Sequence, residues 1–261
     1  VNKNPLIETA SHSDVGAKRV VNEDAVLEQY PCYLVADGMG GHDAGDVASQ
    51  TAISAFAEII PAGKPANFQI VSDAYTLARH RVRKLAQQSE RGAGCTLSGA
   101  IMIEHDGNPT WLIINLGDSR VYQLLAGQLK QITVDHTLRD EMIERGADPN
   151  DPSLPPPNII TRALGGPVDE ADTWLIPVHR ESKLLICSDG LVNEIADRDL
   201  TQMLAAPDSA QAIADMLLDE ALDAGARDNV SLIVVDVIDT PETPEVALED
   251  VSTGPTGIIV E

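Results

Sequence analysis

Aromatic residues make up only 3% of this 261-residue chain. A core must therefore be built mainly from Ala, Val, Leu and Ile within a hydrophobic fraction of 43%, which is ordinary for a globular domain. Basic residues are also scarce: 18 Lys and Arg face 41 Asp and Glu, for a formal net charge of -23. That excludes a nucleic-acid-binding surface, which needs basic patches. The negative charge favours solubility, and bound cations offset part of it. Cysteine is limited to Cys32, Cys95 and Cys187, each inside or beside an apolar run and none in a C-x-x-C pair. An odd, scattered set excludes a disulfide framework and a zinc-thiolate site, and fits reduced, buried thiols in a cytoplasmic protein. No apolar run approaches the ~18 residues of a membrane span. The N-terminal Val1-Asn2-Lys3-Asn4-Pro5 has no basic-then-apolar signal pattern.

Several common sites are missing as well. Gly38, Gly40 and Asp43 do not complete G-x-G-x-x-G, and there is no G-x-x-x-x-G-K-[ST], H-E-x-x-H or G-x-S-x-G. Asp148-Pro149-Asn150-Asp151-Pro152 opens like a calcium loop but lacks the mid-loop Gly and the closing Glu.

What is present is a layered pattern. Residues 23–36 read as a strand pair around Tyr30-Pro31. Residues 43–60 and Phe68 to Gln88 carry apolar stripes at helical spacing, with Pro61 to Pro65 between them. From Thr96 to Val134, four short apolar runs alternate with turn signals and predict an antiparallel meander. A short helix is expected over Thr137 to Arg145, followed by the Pro-rich loop Gly146 to Asn158. Later strands are expected at Trp174 to Val178, Lys183 to Cys187 and Val230 to Val237, with helical stretches at Leu200 to Leu204 and Ala210 to Ala224. Helix pairs alternating with strand blocks suggest an α+β fold with two packed antiparallel sheets and helices on their outer faces. Residues 1–238 form the expected domain. The acidic 239–261 segment, without Lys or Arg, reads as a disordered tail.

Four aspartates lie where these apolar runs stop or start. Asp37 follows Tyr33-Leu34-Val35-Ala36, Asp118 follows Trp111 to Gly117, Asp189 follows Leu184 to Ser188, and Asp228 precedes Asn229 and Val230 to Val237. One Asp-Gly alone is ordinarily a turn. Four carboxylates at strand ends, two of them followed by Gly, would repel one another if they met without a cation. Asp is a hard ligand suited to Mg²⁺ or Mn²⁺, and Gly38 lets the backbone approach so that its carbonyl can join. Spacing reaches a cytoplasmic, two-metal hydrolase and leaves its substrate open.

The chain resembles the metal-dependent protein phosphatases (the type 2C serine/threonine phosphatases), in particular the small bacterial ones. The matching stretches are Ser13-Asp14-Val15-Gly16, Arg19-Val20-Val21-Asn22-Glu23-Asp24 and Val35-Ala36-Asp37-Gly38-Met39-Gly40-Gly41-His42. Next come Gly94-Cys95-Thr96, Gly117-Asp118-Ser119-Arg120, Asp135-His136-Thr137 and Thr161-Arg162-Ala163-Leu164-Gly165. Cys187-Ser188-Asp189-Gly190-Leu191 and Arg227-Asp228-Asn229-Val230 complete the set. Nine motifs in the family's order, over residues 13–235, are specific together although each is weak alone.

The resemblance implies a four-layer αββα sandwich and hydrolysis of phosphoserine and phosphothreonine by a water activated between two Mn²⁺ or Mg²⁺ ions. In that picture Asp37 bridges the two ions, and Asp189 and Asp228 complete the first ion's carboxylates. Gly38 gives the second ion its main-chain oxygen, Glu23 acts on that ion through water, and Asp24 supports these ligands. Bacterial members often hold a third ion, for which Asp118 and Asp189 match. Arg19 would bind the substrate phosphate as a planar fork. Met39 stands where animal relatives have a His after Asp-Gly, so His42 becomes the candidate for leaving-group protonation or substrate contact. His136 reads as structural, at a strand-to-helix junction. Residues 137–164 match the family's variable flap, whose loop is a candidate determinant of substrate choice. The implied partners are phosphoproteins and a bacterial Ser/Thr kinase that the enzyme opposes, and the expected state is a monomer. The alternatives are a pseudophosphatase acting as a regulatory module, whose mark would be lost carboxylates, and a small-phosphoester hydrolase on the same fold.

Overall fold

The computed structural model describes residues 4–40, 44–90 and 92–240. Two antiparallel sheets lie at its centre. The first contains β1 (Leu6–Asp14), β7 (Arg120–Leu125), β8 (Gln128–Gln131), β10 (Lys183–Cys187) and β11 (Val230–Asp239), in the order β1-β11-β10-β7-β8. The second contains β2 (Asp24–Gln29), β3 (Cys32–Gly40), β5 (Leu97–His105), β6 (Asn108–Leu116) and β9 (Asp172–Pro177), in the order β2-β3-β5-β6-β9. The short β4 (Ala93–Cys95) pairs with the far end of β3.

Strand alternation separates three apolar layers. From β3, Tyr33 and Val35 point between the sheets, where they meet Leu184 and Ile186 of β10 and Ile233 and Val235 of β11. Trp111 is fully buried in that layer, edge-to-face with Tyr33 at a centroid distance of 6.0 Å. The neighbouring positions Leu34 and Ala36 face α1 (Ala44–Ile59) and α2 (Phe68–Gln88). On the opposite side Leu185, Cys187, Leu232 and Val234 face α5 (Asp197–Leu204) and α6 (Ala210–Ala224). Because both sheets are covered on both faces, the central strands carry long apolar runs rather than a strict alternation, with buried polar exceptions such as Ser98, Asn115 and Ser231. The expected four-layer αββα sandwich is the observed fold.

The helices end where their local chemistry directs. Asn67 accepts a 2.9 Å hydrogen bond from the Ile70 amide and opens α2. Ser209 does the same for α6 through Ala212, and Gly225 closes that helix at φ 121°. The short α3 (Leu138–Glu144) starts at Thr137, whose hydroxyl accepts from the Asp140 amide.

Three expectations need correction. The stretch from Thr96 to Val134 is not one meander: β5 and β6 pair in the second sheet, whereas β7 and β8 belong to the first. The chain crosses between sheets at Gly117–Ser119, because β7 pairs with β10 instead of β6. Asp37 does not end its strand, since β3 continues to Gly40 by pairing with β4 after β5 leaves it. Asp189 opens a short helix, α4 (Asp189–Val192), rather than closing β10.

Candidate active site

The site lies at one end of the sandwich, where the two sheets contribute separate loops. Asp24 and Asp37 stand directly opposite each other in the β2–β3 register. Like charges in that position destabilise a strand pair. Asp189 follows β10 in the other sheet, Asp228 lies two residues before β11 begins at Val230, and Asp118 occupies the crossover between sheets. Sequence positions up to 204 residues apart, from Asp24 to Asp228, are thereby brought within electrostatic reach of one another.

Burial and mutual repulsion act in the same direction. Desolvation raises the Asp24 carboxyl to about 7, with Asp189 and Asp228 adding to the shift. Desolvation also raises Asp118 to about 7, followed by the charges of Asp189 and Asp135. Asp37 is pushed well above the usual carboxylate range by desolvation and then by Asp24, Asp189, Asp118 and Asp228. Asp189 rises through burial and Asp228. Burial raises Glu23 too, with Arg19 pulling it back.

Three of these carboxylates keep an oxygen that no donor satisfies: Asp24 Oδ1, Asp118 Oδ1 and Asp189 Oδ1 are buried without a hydrogen-bond partner. Buried acceptors are ordinarily paired, so acceptor oxygens facing repelling neighbours fit a hard cation. Among the described residues, no group of three or more His, Cys, Asp or Glu side chains is gathered closely enough to enclose an ion. Arg19 occupies Asp228, with Nη2 donating to Oδ2 at 2.7 Å. Arg19, expected to bind the substrate phosphate, holds a carboxylate beside the aspartates here.

The surrounding polar residues lock these positions. The Asp37 amide donates to Thr96 Oγ1 at 2.9 Å, and the Thr96 amide donates to the Asp37 carbonyl at 2.8 Å. Thr96 Oγ1 also meets Ser119 Oγ at 2.8 Å, tying the Asp37 strand to the Asp118 crossover. Ser188 Oγ donates to Asp24 Oδ2 at 2.9 Å. Asn229 Nδ2 donates to the carbonyls of Val15 and Val21, while its Oδ1 accepts from the Glu23 amide. One side chain next to Asp228 therefore holds the loop that carries Arg19 and Glu23. Gly38 is packed so closely that a Cβ would collide with the carbonyl oxygens of Gly45 and Glu23.

Two further expectations concern histidines. His42 lies outside the described residues. His136 is buried and structural, but it reaches further than its sequence neighbours suggest. It bonds the Gly117 backbone through both its amide and Nδ1, and its Nε2 meets Asp172 at 3.1 Å. The segment expected to be the flap begins beside it: Thr137 bridges Ile160, and the Thr161 amide donates to the His136 carbonyl. At its far end Leu164 pairs with Cys95, which is itself the register partner of Gly38. Thr96, Asn229 and Ser188 were not singled out as supports by sequence; their only signal was membership in the matching motifs. The three cysteines are buried and free, and burial raises Cys32 and Cys187 to about 12. They are poor nucleophiles at neutral pH.

The family model for Protein phosphatase 2C matches residues 10–224. The chain belongs to the protein phosphatase 2C family. It is 35% identical over 243 residues to the serine/threonine phosphatase stp of Listeria welshimeri, covering 86% of this chain and 93% of that one. It is 34% identical over 239 residues to the serine/threonine protein phosphatase PstP of Mycobacterium tuberculosis, covering 90% of this chain but 46% of PstP. The crystal structure of the PstP catalytic domain in complex with two manganese ions superimposes with a TM-score of 0.77 at 31% identity, covering 89% of this chain and 99% of that one. By this membership the chain is a protein serine/threonine phosphatase, a hydrolase of a metal-dependent family.

Proposed function

We propose that this phosphatase hydrolyses phosphoserine and phosphothreonine in proteins through a dinuclear Mn²⁺ or Mg²⁺ centre held by Asp37, Asp189, Asp228 and the Gly38 carbonyl, and that it reverses the work of a bacterial Ser/Thr kinase. The observation that carries this reading is the set of buried, unsatisfied aspartate oxygens around the cross-strand Asp24–Asp37 pair. Such a cluster is costly unless a cation neutralises it. Bound there, two divalent ions supply Lewis acidity and a water acidified toward neutral pH.

The chain's own residues do the rest. Asp37, fixed by Thr96, sets the centre's position. Asp24 and Glu23 orient the ligands from behind. Asp118 and Asp189 would hold a third ion. Arg19, paired with Asp228 here, would be released if that carboxylate held a cation, and its planar guanidinium would then be free to receive the substrate phosphate. Its position, with half of its side chain exposed to solvent, suits a group that meets an arriving ligand. With charge stabilisation supplied this way, no covalent phospho-enzyme is needed, which agrees with the high thiol pKa values.

The test is phosphate release from a phosphothreonine peptide with Mn²⁺, with chelator, and with Asp37→Asn. Expected are activity in Mn²⁺, none in chelator, and a loss of more than ~100-fold in the variant. Activity that survives chelation would sink the metal mechanism.

A further inference from the structure

Beside the aspartates a cleft of about 250 Å³ opens between the catalytic end and the flap. Asp118 and Asp189 form its catalytic wall, and Arg139 of α3 with Pro157 and Asn158 at the flap's end forms the other. The volume is below the ~300–1,000 Å³ of a small-molecule pocket, and leaves room for a side chain or two next to the reacting phosphate.

Its cations differ sharply. Arg120 is fully engaged: Nε and Nη2 hold Asp135 at 2.7–3.0 Å, and Nη1 donates to Tyr122 Oη at 2.8 Å. Asp140, also in the wall, is tied to the Thr137 hydroxyl. Arg139 forms no ion pair among the described residues; one Nη donates to the Pro149 carbonyl at 3.1 Å and anchors the guanidinium to the flap loop. A guanidinium has five donors, so most of Arg139 is uncommitted. Once Asp118 and Asp189 are neutralised by cations, and Arg120 cancels Asp135, the Asp140 carboxylate and the Arg139 guanidinium are the charges left in the lining, and Arg139 is the cation that the cleft presents to an arriving peptide.

We infer that Arg139 forms an anion-binding subsite, so that the enzyme favours phosphopeptides carrying a carboxylate or second phosphate close to the scissile phosphoresidue. This rests on the phosphatase reading above and adds a substrate class to it. On a chain of net charge -23, acidic peptides are repelled at long range, and a local cation is what would reverse the preference at the site.

The test uses three phosphothreonine peptides identical except for their flanking positions: alanine, glutamate, or a non-hydrolysable phosphonate analogue of phosphoserine. Each is assayed with Mn²⁺ on the wild type, Arg139→Ala and Arg139→Lys. Expected is a kcat/KM for at least one anionic peptide about three- to tenfold above the alanine peptide, carried by KM. The ratio should fall to near one in Arg139→Ala and be intermediate in Arg139→Lys, where the point charge survives without the fork. Preference for glutamate and phosphonate alike marks a general anion subsite; preference for phosphonate alone marks a phosphate subsite. Hydrolysis of all three peptides without preference, or a preference unchanged in Arg139→Ala, overturns the subsite and leaves the phosphatase reading intact. Failure to hydrolyse any peptide overturns both.

Discussion

The backbone amide of Gly117 donates a 3.1 Å hydrogen bond to Nδ1 of His136. Nδ1 is therefore the acceptor, and Nε2 carries the proton that Asp172 Oδ2 receives at 3.1 Å. Asp172 in turn accepts from Arg162 at 3.2 Å. One imidazole thus links the Asp118 crossover to the end of the flap.

Removing that link should cost both stability and order at Asp118. His136→Ala is expected to destabilise the fold by about 1–3 kcal/mol, because the Gly117 amide is left buried without an acceptor. His136→Asn, whose amide oxygen can accept from Gly117, should lose less. Thermal unfolding of the three proteins checks this; identical melting temperatures would remove His136 as a support.

The buried aspartates make stability depend on pH in an unusual direction. Asp118 titrates at about 7 in the fold, against ~3.9 in an unfolded chain. Between those values the folded protein binds more protons, so stability falls as pH rises through the window and is level above it. In chelator, Asp118→Asn should melt higher than wild type at pH 8, with a smaller gain at pH 5. Mn²⁺ at ~100 times its dissociation constant should add about 2.7 kcal/mol to the wild type. Melting curves across pH, with and without Mn²⁺, decide it, and a variant that melts lower than wild type at pH 8 in chelator would contradict it.

Arg19 pairs with Asp228 at 2.7 Å and is half exposed. If it receives the substrate phosphate, Arg19→Ala should lower kcat/KM about tenfold or more, and Arg19→Lys should recover only part, since a point charge cannot make the bidentate contact. Steady-state kinetics on a phosphothreonine peptide measures both, and equal kinetics for all three proteins would exclude the role.

Gly38 tests how tightly the site is built. A methyl group there meets main-chain oxygens of Gly45 and Glu23, which cannot rotate away. Gly38→Ala should destabilise by about 1–3 kcal/mol and weaken Mn²⁺ activation, read from denaturant unfolding and a metal titration. An unaltered metal dependence would show that the backbone there is free to adjust.

Local regularities were legible in the sequence because they depend on near neighbours. The apolar stripe of α2 and the helical stretch of α6 are written within one segment each, and both helices occupy the expected residues. The motif order identified the aspartates in the same way. The crossover at Gly117–Ser119 was not legible, since a turn joining two strands of one sheet and a turn joining two sheets use the same residues. Likewise the extension of β3 past Asp37 depends on β4, a partner more than 50 positions away.

By itself the sequence determined the layered αββα pattern, the family, and which aspartates stand at the ends of apolar runs, because periodicity and motif residues survive without coordinates. Tertiary structure decided how those residues act on one another. Only the packed sheets place Asp24 opposite Asp37, Asn229 on the carbonyls of Val15 and Val21, Arg19 on Asp228, and Arg139 across a cleft from Asp189. The physical reason is burial. Carboxylates far apart in an unfolded chain are each solvated by water; brought together at the end of a dry sandwich they lose that water and come to depend on one another.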